Sequence, residues 1–376
     1  MLGVGCSPTP YSRGHIAQMK NETRDLFLHG WSLYMKYGFP ADEVRPDSCT
    51  PYGPDFDDID DIGRNDAMAN TSMTVLDNLD TLIIMDQWDQ LLFVLDYLRS
   101  SKETLFEQNT IVQVFEQSIR LLGGIISAHL LIEMLQDSKK YQNIEVISSY
   151  DGFLLGLAHL LGKKLLPAYK TLTKIPVPRV NLAKGPKLVP ERLQSDTCLA
   201  GAATPVLEFT LLSRLTGDFT FELHSDVAFW KLWYSRSPLD LLPMTIDPVK
   251  GKWVDTVSGI GALGDSFYEY SAKASIVFGD SEMWSVFVDS YKSFLTYSRP
   301  FNKMLFPNIN SYTGEQASIW IDLLSAFWTG LQVLTGQLTD AVYTHLMYWK
   351  IWNTFDLIPE QWCFTDSKNK YSINVD

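Results

Sequence analysis

The chain has 376 residues, of which 46% are hydrophobic and 13% aromatic, and it carries a formal net charge of −13 at pH 7. So much apolar material excludes a disordered chain, and an acidic balance with no basic stripe excludes a nucleic-acid binder, which must displace counterions from phosphate. This length exceeds the usual single-domain size, with closed barrels as the known exception, so composition leaves the domain count open.

Residues 1–15 contain no continuous apolar run and no basic start, so they read as an unstructured N-terminus with no signal peptide. Residues 17–38 place Leu26, Phe27, Trp31, Leu33, Tyr34 and Tyr37 at amphipathic helical spacing, ended by Gly38 and Pro40. Between 40 and 72 the chain is rich in Pro, Asp, Gly and Asn. Its acidic cluster, Asp55, Asp57, Asp58, Asp60 and Asp61, lacks the spacing of an EF-hand and reads as a solvated loop. Residues 73–99 predict two short helices or one broken helix, with Asp77 and Asp80 as caps or hydrogen-bond anchors near an apolar face.

The stretch 111–135, IVQVFEQSIRLLGGIISAHLLIEML, has helical rather than alternating apolar spacing and is too long for a strand. It predicts a helix buried on most of its circumference. Glu116 and Arg120 are helix neighbours at i and i+4, an ion pair worth only ~0.2–0.5 kcal/mol if exposed. Gly123 and Gly124 each cost roughly 1 kcal/mol relative to Ala in a helix, which points to a packing reason such as the close approach of another backbone. Periodicity alone leaves two readings of the pair, a buried structural salt bridge or a functional acid with its partner. A helix over 151–164 follows, and then a Pro- and Lys-rich connector, 167–190, that crosses the surface as hairpin or extended chain.

From 197 onward the pattern becomes helix, Gly-containing turn, helix. One pair spans 197–234 and turns at Thr216-Gly217-Asp218; another spans 265–297, broken at Gly279-Asp280; a third spans 317–353, broken at Gly336. No unit can bury its own apolar face, so the hairpins must close on one another, and a closed helical barrel is expected. Cys6, Cys49, Cys198 and Cys363 show no metal spacing; long-range disulfides and free thiols both fit. The sequons at Asn21 and Asn70 matter only in the secretory pathway. No 18-residue apolar run is read, so no membrane span is expected.

Set side by side, VFEQSIRLLGGIISAHLL (114–131), LEFTLLSRLTGD (207–218), GDSFYEYSAK (264–273), AFWTGLQVL (326–334) and IPEQW (358–362) resemble glycoside hydrolase family 47. KYGFPADEVRPDSC (36–49) and LDNLDTLIIM (76–85) add to the likeness. These enzymes are the class I α-1,2-mannosidases, and within them the chain is most similar to the fungal ER degradation-enhancing α-mannosidase-like branch. Leu263 and Leu323 stand where the processing members carry Arg and His.

The resemblance implies an all-α fold, an (α/α)7 barrel over 16–376 that lacks its last hairpin and carries minor β-hairpin loops. It also implies inverting hydrolysis that trims high-mannose N-glycans of misfolded glycoproteins in the endoplasmic reticulum lumen. By position, Glu116 matches the family's acid, Asp265 and Glu360 match its other catalytic carboxylates, and Arg120 and Glu208 match substrate-binding residues. Such chemistry needs one carboxylic acid to protonate the leaving oxygen and a second carboxylate to activate water, ~6.5–9.5 Å away. Crowded carboxylates raise one another's pKa, which keeps one protonated near neutral pH. The family further implies a calcium ion, whose threonine ligand lies beyond Asp376, and an oxidoreductase partner for the cysteines. The alternative is a glycan-binding quality-control factor without catalysis, or an inactive truncated fragment.

Overall fold

The first helix runs Arg13–Tyr37 and starts inside the stretch expected to be unstructured, because Ser12 caps it: its Oγ accepts the His15 N–H at 3.1 Å. The computed structural model describes residues 11–58, 60–299 and 305–364; Cys6 and residues 1–10 lie outside the described residues. The region 73–99 is broken twice, into Met73–Asp77, Leu79–Ile84 and Trp88–Ser101. At the first break the Asn78 amide donates to the Thr74 carbonyl at 2.8 Å, and at the second Asp86 takes a left-handed backbone, φ 58°.

Ile111–Gln113 pairs antiparallel with Arg179–Asn181, so the connector does cross as a hairpin partner and the helix begins at Val114. That helix has three parts: Val114–Glu116, a π-helical turn over Gln117–Leu122, and Gly123–Gln136. Within it the Ser118 hydroxyl donates to the Val114 carbonyl at 2.7 Å, a bond that competes with the regular ladder. Single π-turns of this kind gather at functional sites. The two glycines differ. A Cβ on Gly124 would collide with the Leu76 carbonyl oxygen and stand 3.2 Å from its carbon, whereas one on Gly123 would meet nothing nearer than 3.6 Å. Gly124 therefore marks the close approach of the Met73–Asp77 backbone.

By length and composition Val114–Gln136 is apolar enough to cross a membrane, with a mean hydropathy of 1.5, which corrects the expectation that no such run exists. In this fold it is a core helix, packed against Leu79–Ile84 and Phe153–Leu165.

The hairpins after 197 form with two corrections. The first pair is broken once more, into Leu199–Ala203 and Val206–Thr216 before Thr220–Tyr234, because Pro205 supplies no N–H to continue a helix through it. Asp265–Phe278 and Ser281–Ser293 turn as expected. Gly279 takes φ 71°, and the Asp280 carboxylate accepts the Glu282 and Met283 N–H groups. In the third pair, 317–327 is not helical as expected: Trp320–Asp322 is a strand paired with Gln361–Cys363, followed by a 3₁₀ turn, Leu323–Phe327. Asp322 starts that turn, accepting the Ser325 N–H at 3.0 Å. The pair proper is Trp328–Leu334 and Leu338–Phe355.

One large core surrounds the Glu116 helix, and a second gathers Phe229, Phe267, Tyr268, Phe294 and Trp328. A small third cluster joins Leu305, Ile321, Met347, Tyr348 and Ile351. The last helix leaves Leu338, Val342, Leu346 and Trp349 exposed along one side. The expected all-α barrel of hairpins, with small two- and three-stranded sheets as its β content, describes what is seen.

Candidate active site

Glu116 and Arg120 form the pair that their spacing allows, the Arg120 Nε donating to the Glu116 Oε2 at 2.7 Å. The structure adds a third member. Arg120 also reaches Asp77, at 3.6 Å, from the helix that Gly124 lets approach. These three groups line a cavity of about 270 Å³ together with Glu43, Thr74, Asn78 and the Met68 and Met73 side chains. Burial raises the pKa of both Asp77 and Glu43; Arg120 opposes it in each case, and Asp42 adds to it at Glu43. Asp80, by contrast, is an anchor as expected, accepting the Ser127 hydroxyl at 2.9 Å.

Glu208 is buried deeper, against the same helix: its Cγ would lie 3.7 Å from a Cβ on Gly123. The Tyr270 hydroxyl donates to its Oε1 at 3.0 Å, while Oε2 has no partner among the described residues. Burial pushes Glu208 up to about 7, against the opposing pull of its own backbone N–H, Tyr270 and Lys273. A carboxylic acid that still holds its proton near neutral pH can donate a hydrogen bond where a carboxylate could only accept one.

Asp265 opens the Asp265–Phe278 helix and accepts both the N–H and the hydroxyl of Ser266, at 2.6 and 3.0 Å. Burial raises its pKa, with the charges of Glu269 and Asp322 adding to the effect. Cys198 links this helix to the Glu116 turn. Gly201 packs between its sulfur and Phe115, and the thiol, pushed up by burial, lies within electrostatic reach of both Asp265 and Glu116. Leu263, whose φ of 72° is a strained value for a leucine, accepts the Ala200 N–H at 2.8 Å and so ties the two elements together.

Glu360 is exposed. Its backbone carbonyl accepts the Leu323 N–H at 3.1 Å beside the strand that ends in Asp322, and its carboxylate makes no hydrogen bond or ion pair among the described residues. Glu116 and Arg120 thus share one helix, Glu208 packs against it from Val206–Thr216, Asp265 is joined to them through Cys198 and Tyr270, and Glu360 stands at the Asp322 edge.

Sequence reasoning missed Asp42. Its side chain is fully buried, and its two oxygens accept the N–H groups of Asn70, Thr71 and Met73 at 2.8, 2.8 and 3.1 Å. Asn70 and Ser72 take left-handed backbones, φ 55° and 59°, so successive N–H groups converge on the carboxylate as a nest. The loop so held supplies Met73 and Thr74 to the cavity wall. In the sequence Asp42 stands beside Glu43 and Arg45 in PADEVR, where nothing marks it as the buried member.

Residues 26–375 match the model of the family described as Glycosyl hydrolase family 47. The chain belongs to that family. Among its relatives, the ER degradation-enhancing alpha-mannosidase-like protein 1 of Saccharomyces cerevisiae is 39% identical over 367 residues, covering 96% of this chain and 45% of its own. The protein of the same description from Schizosaccharomyces pombe is 38% identical over 347 residues, 92% of this chain and 43% of its own. This family 47 chain spans about half the length of the curated relatives it matches. The alpha-1,2-mannosidase from Trichoderma reesei superposes with a TM-score of 0.74 over 94% of this chain and 72% of that one, at 22% identity, a likeness of fold.

Among the described residues no three His, Cys, Asp or Glu side chains converge to hold a metal ion, and the threonine that the resemblance implies as calcium ligand lies outside them. No chemical step is therefore routed through calcium. Of the cysteines, Cys49 and Cys198 carry free thiols, the first exposed and the second half-buried.

Proposed function

We propose that this family 47 chain is an α-1,2-mannosidase-type protein that trims high-mannose N-glycans of misfolded glycoproteins in the endoplasmic reticulum lumen. What supports this is one observation above all: carboxylates of three kinds converge on one helix and its neighbours. Glu116 is held by Arg120, Asp77 shares that guanidinium, and Glu208 is protonated to about neutral pH. The names of the relatives, which point to degradation in the endoplasmic reticulum, supply the setting.

In the proposed reaction a terminal mannose enters the cavity beside Glu116. Glu116 gives its proton to the leaving oxygen as the glycosidic bond breaks, and a carboxylate on the opposite face, Asp265 or Glu360, takes a proton from the attacking water. Arg120 fixes the Glu116 carboxylate at the cavity wall, and Glu208 is the neutral donor for a substrate hydroxyl. An oxidoreductase partner would reach the chain through the exposed Cys49 thiol.

The experiment is to incubate the protein with a high-mannose N-glycan, with and without calcium, beside Glu116→Gln. Mannose release that the substitution abolishes is the expected result; release that it leaves intact removes Glu116 from the chemistry. The Glu360 carboxylate, exposed and without a partner among the described residues, favours a second reading, a glycan-binding protein that does not hydrolyse. Binding with no release by the parent protein would establish that alternative.

A further inference from the structure

The Pro- and Lys-rich connector runs against the charge of the chain that carries it. Residues 152–190 hold seven Lys and Arg and no Asp or Glu, in a chain of net charge −13. Two of the seven are engaged by acids from elsewhere: Lys164 pairs with Glu107 at 2.6 Å, and Arg179 with the buried Asp66. The other five are exposed and form no ion pair among the described residues, and two of these, Lys170 and Lys187, line a pocket of about 430 Å³.

Most of that pocket's wall is apolar. Leu172 and Val249, 93% and 55% exposed, stand at it beside Pro167, Val177 and Pro186. No large apolar side chain among the described residues is more exposed than Leu172.

The walls are set before anything binds. The Thr171 hydroxyl donates to the Ile175 carbonyl at 2.8 Å and the Val177 N–H to the Ala168 carbonyl at 3.0 Å. The Thr173 hydroxyl donates to the Pro248 carbonyl, which brings the turn that carries Val249 to the connector. Prolines at 167, 176, 178 and 186 fix four further φ angles. Gln194, also in the lining, donates to the Arg179 carbonyl at 3.0 Å, while its buried Oε1 accepts nothing among the described residues. An occupant with an N–H at that wall would satisfy it.

A rigid apolar pocket flanked by unpaired ammonium groups fits a ligand with an apolar side chain, backbone N–H groups and neighbouring carboxylates. An acidic peptide segment has all three. A nucleic acid or an anionic bilayer fits worse, because Glu191 stands in the same lining, the chain as a whole repels a continuous polyanion, and the apolar wall would go unused.

We propose that this pocket is a docking site for an acidic, extended segment of a partner protein. One apolar side chain of that segment seats against Leu172, Val249 and the prolines, and its carboxylates lie over Lys170 and Lys187. No residue lines both this pocket and the Glu116 cavity, and the proposal does not rest on the mannosidase reading.

The test is fluorescence anisotropy with the full chain and a short labelled peptide in which one leucine stands between runs of glutamate. Two control peptides carry glutamine for every glutamate, or alanine for the leucine. The parent is expected to bind the first peptide, less tightly as salt is raised, and each control about tenfold more weakly. Lys170→Glu combined with Lys187→Glu, and separately Leu172→Ser, should each weaken binding about tenfold. All three side chains are exposed, so the melting temperature stays at the parent value and reports any misfolding. A parent that binds no peptide, binding indifferent to the glutamates, or binding untouched by the lysine reversals would overturn the proposal. So would tighter binding of phosphatidylserine vesicles or of a single-stranded oligonucleotide than of the peptide, which would assign the lysines to a polyanion instead.

Discussion

Gly124→Ala tests how the fold is coupled to the site. The new Cβ would collide with the Leu76 carbonyl oxygen and would stand 3.2 Å from the Leu76 carbonyl carbon and 3.5 Å from the Asp77 Cα. Restoring ordinary contact requires the Met73–Asp77 helix to retreat by roughly 1 Å. Overpacking of this kind costs about 1–3 kcal/mol, and the helix propensity of Ala over Gly returns about 1 kcal/mol; with a backbone atom as the obstacle the cost falls at the upper end, so a net loss of up to about 2 kcal/mol is expected. The same retreat carries Asp77 away from Arg120, already at 3.6 Å. Gly123→Ala is the control, since its Cβ meets nothing nearer than 3.6 Å and gains the propensity term unopposed. Thermal unfolding of the two variants should diverge by several degrees, with Gly124→Ala below the parent and Gly123→Ala at or above it. If the two melt together, close backbone approach is not why the first glycine pair member and the second differ, and the packing argument fails.

Glu208→Gln should change how stability depends on pH. The folded pKa of about 7 lies above the ordinary 4.5, so Glu208 contributes fully below about 4.5 and its contribution is lost as pH rises toward 7. Urea unfolding should show the variant gaining on the parent by on the order of 2 kcal/mol between pH 5 and pH 8; a gap independent of pH would contradict the buried, protonated state. Arg179→Ala leaves Asp66, 6% exposed, without the guanidinium that binds it at 2.9 Å, and also frees the Leu193 carbonyl. A loss of about 3–5 kcal/mol is expected, as for a buried pair broken on one side, and denaturant midpoints will report it. Asp42→Asn turns one acceptor into a donor facing a backbone N–H, at a cost of about 1–3 kcal/mol. Protease cleavage within 67–74 should accelerate in that variant, and unchanged cleavage would deny Asp42 its hold on the loop.

Much of this protein was legible without coordinates because the information is local. Helical spacing, the turn at Gly279-Asp280 and the i, i+4 placement of Glu116 and Arg120 follow from the 3.6-residue period and from backbone preferences within a few residues. Gly124 was flagged for the right physical reason. The second break within 73–99, the break at Pro205 and the strand at Trp320–Asp322 were missed, since an apolar period continues across them. Cys198 gave no signal at all until Gly201 and Phe115 closed around it.

The sequence by itself determined which faces are apolar, where most hairpins turn, and which carboxylate and guanidinium are neighbours on one helix. Only the tertiary structure decided that Asp77 shares Arg120, that Asp42 is enclosed by three N–H groups, and that Glu208 keeps its proton to about pH 7. The physical reason is that a pKa or an ion pair across elements depends on what surrounds a group once water has been removed, and a residue's neighbours in the chain do not specify that.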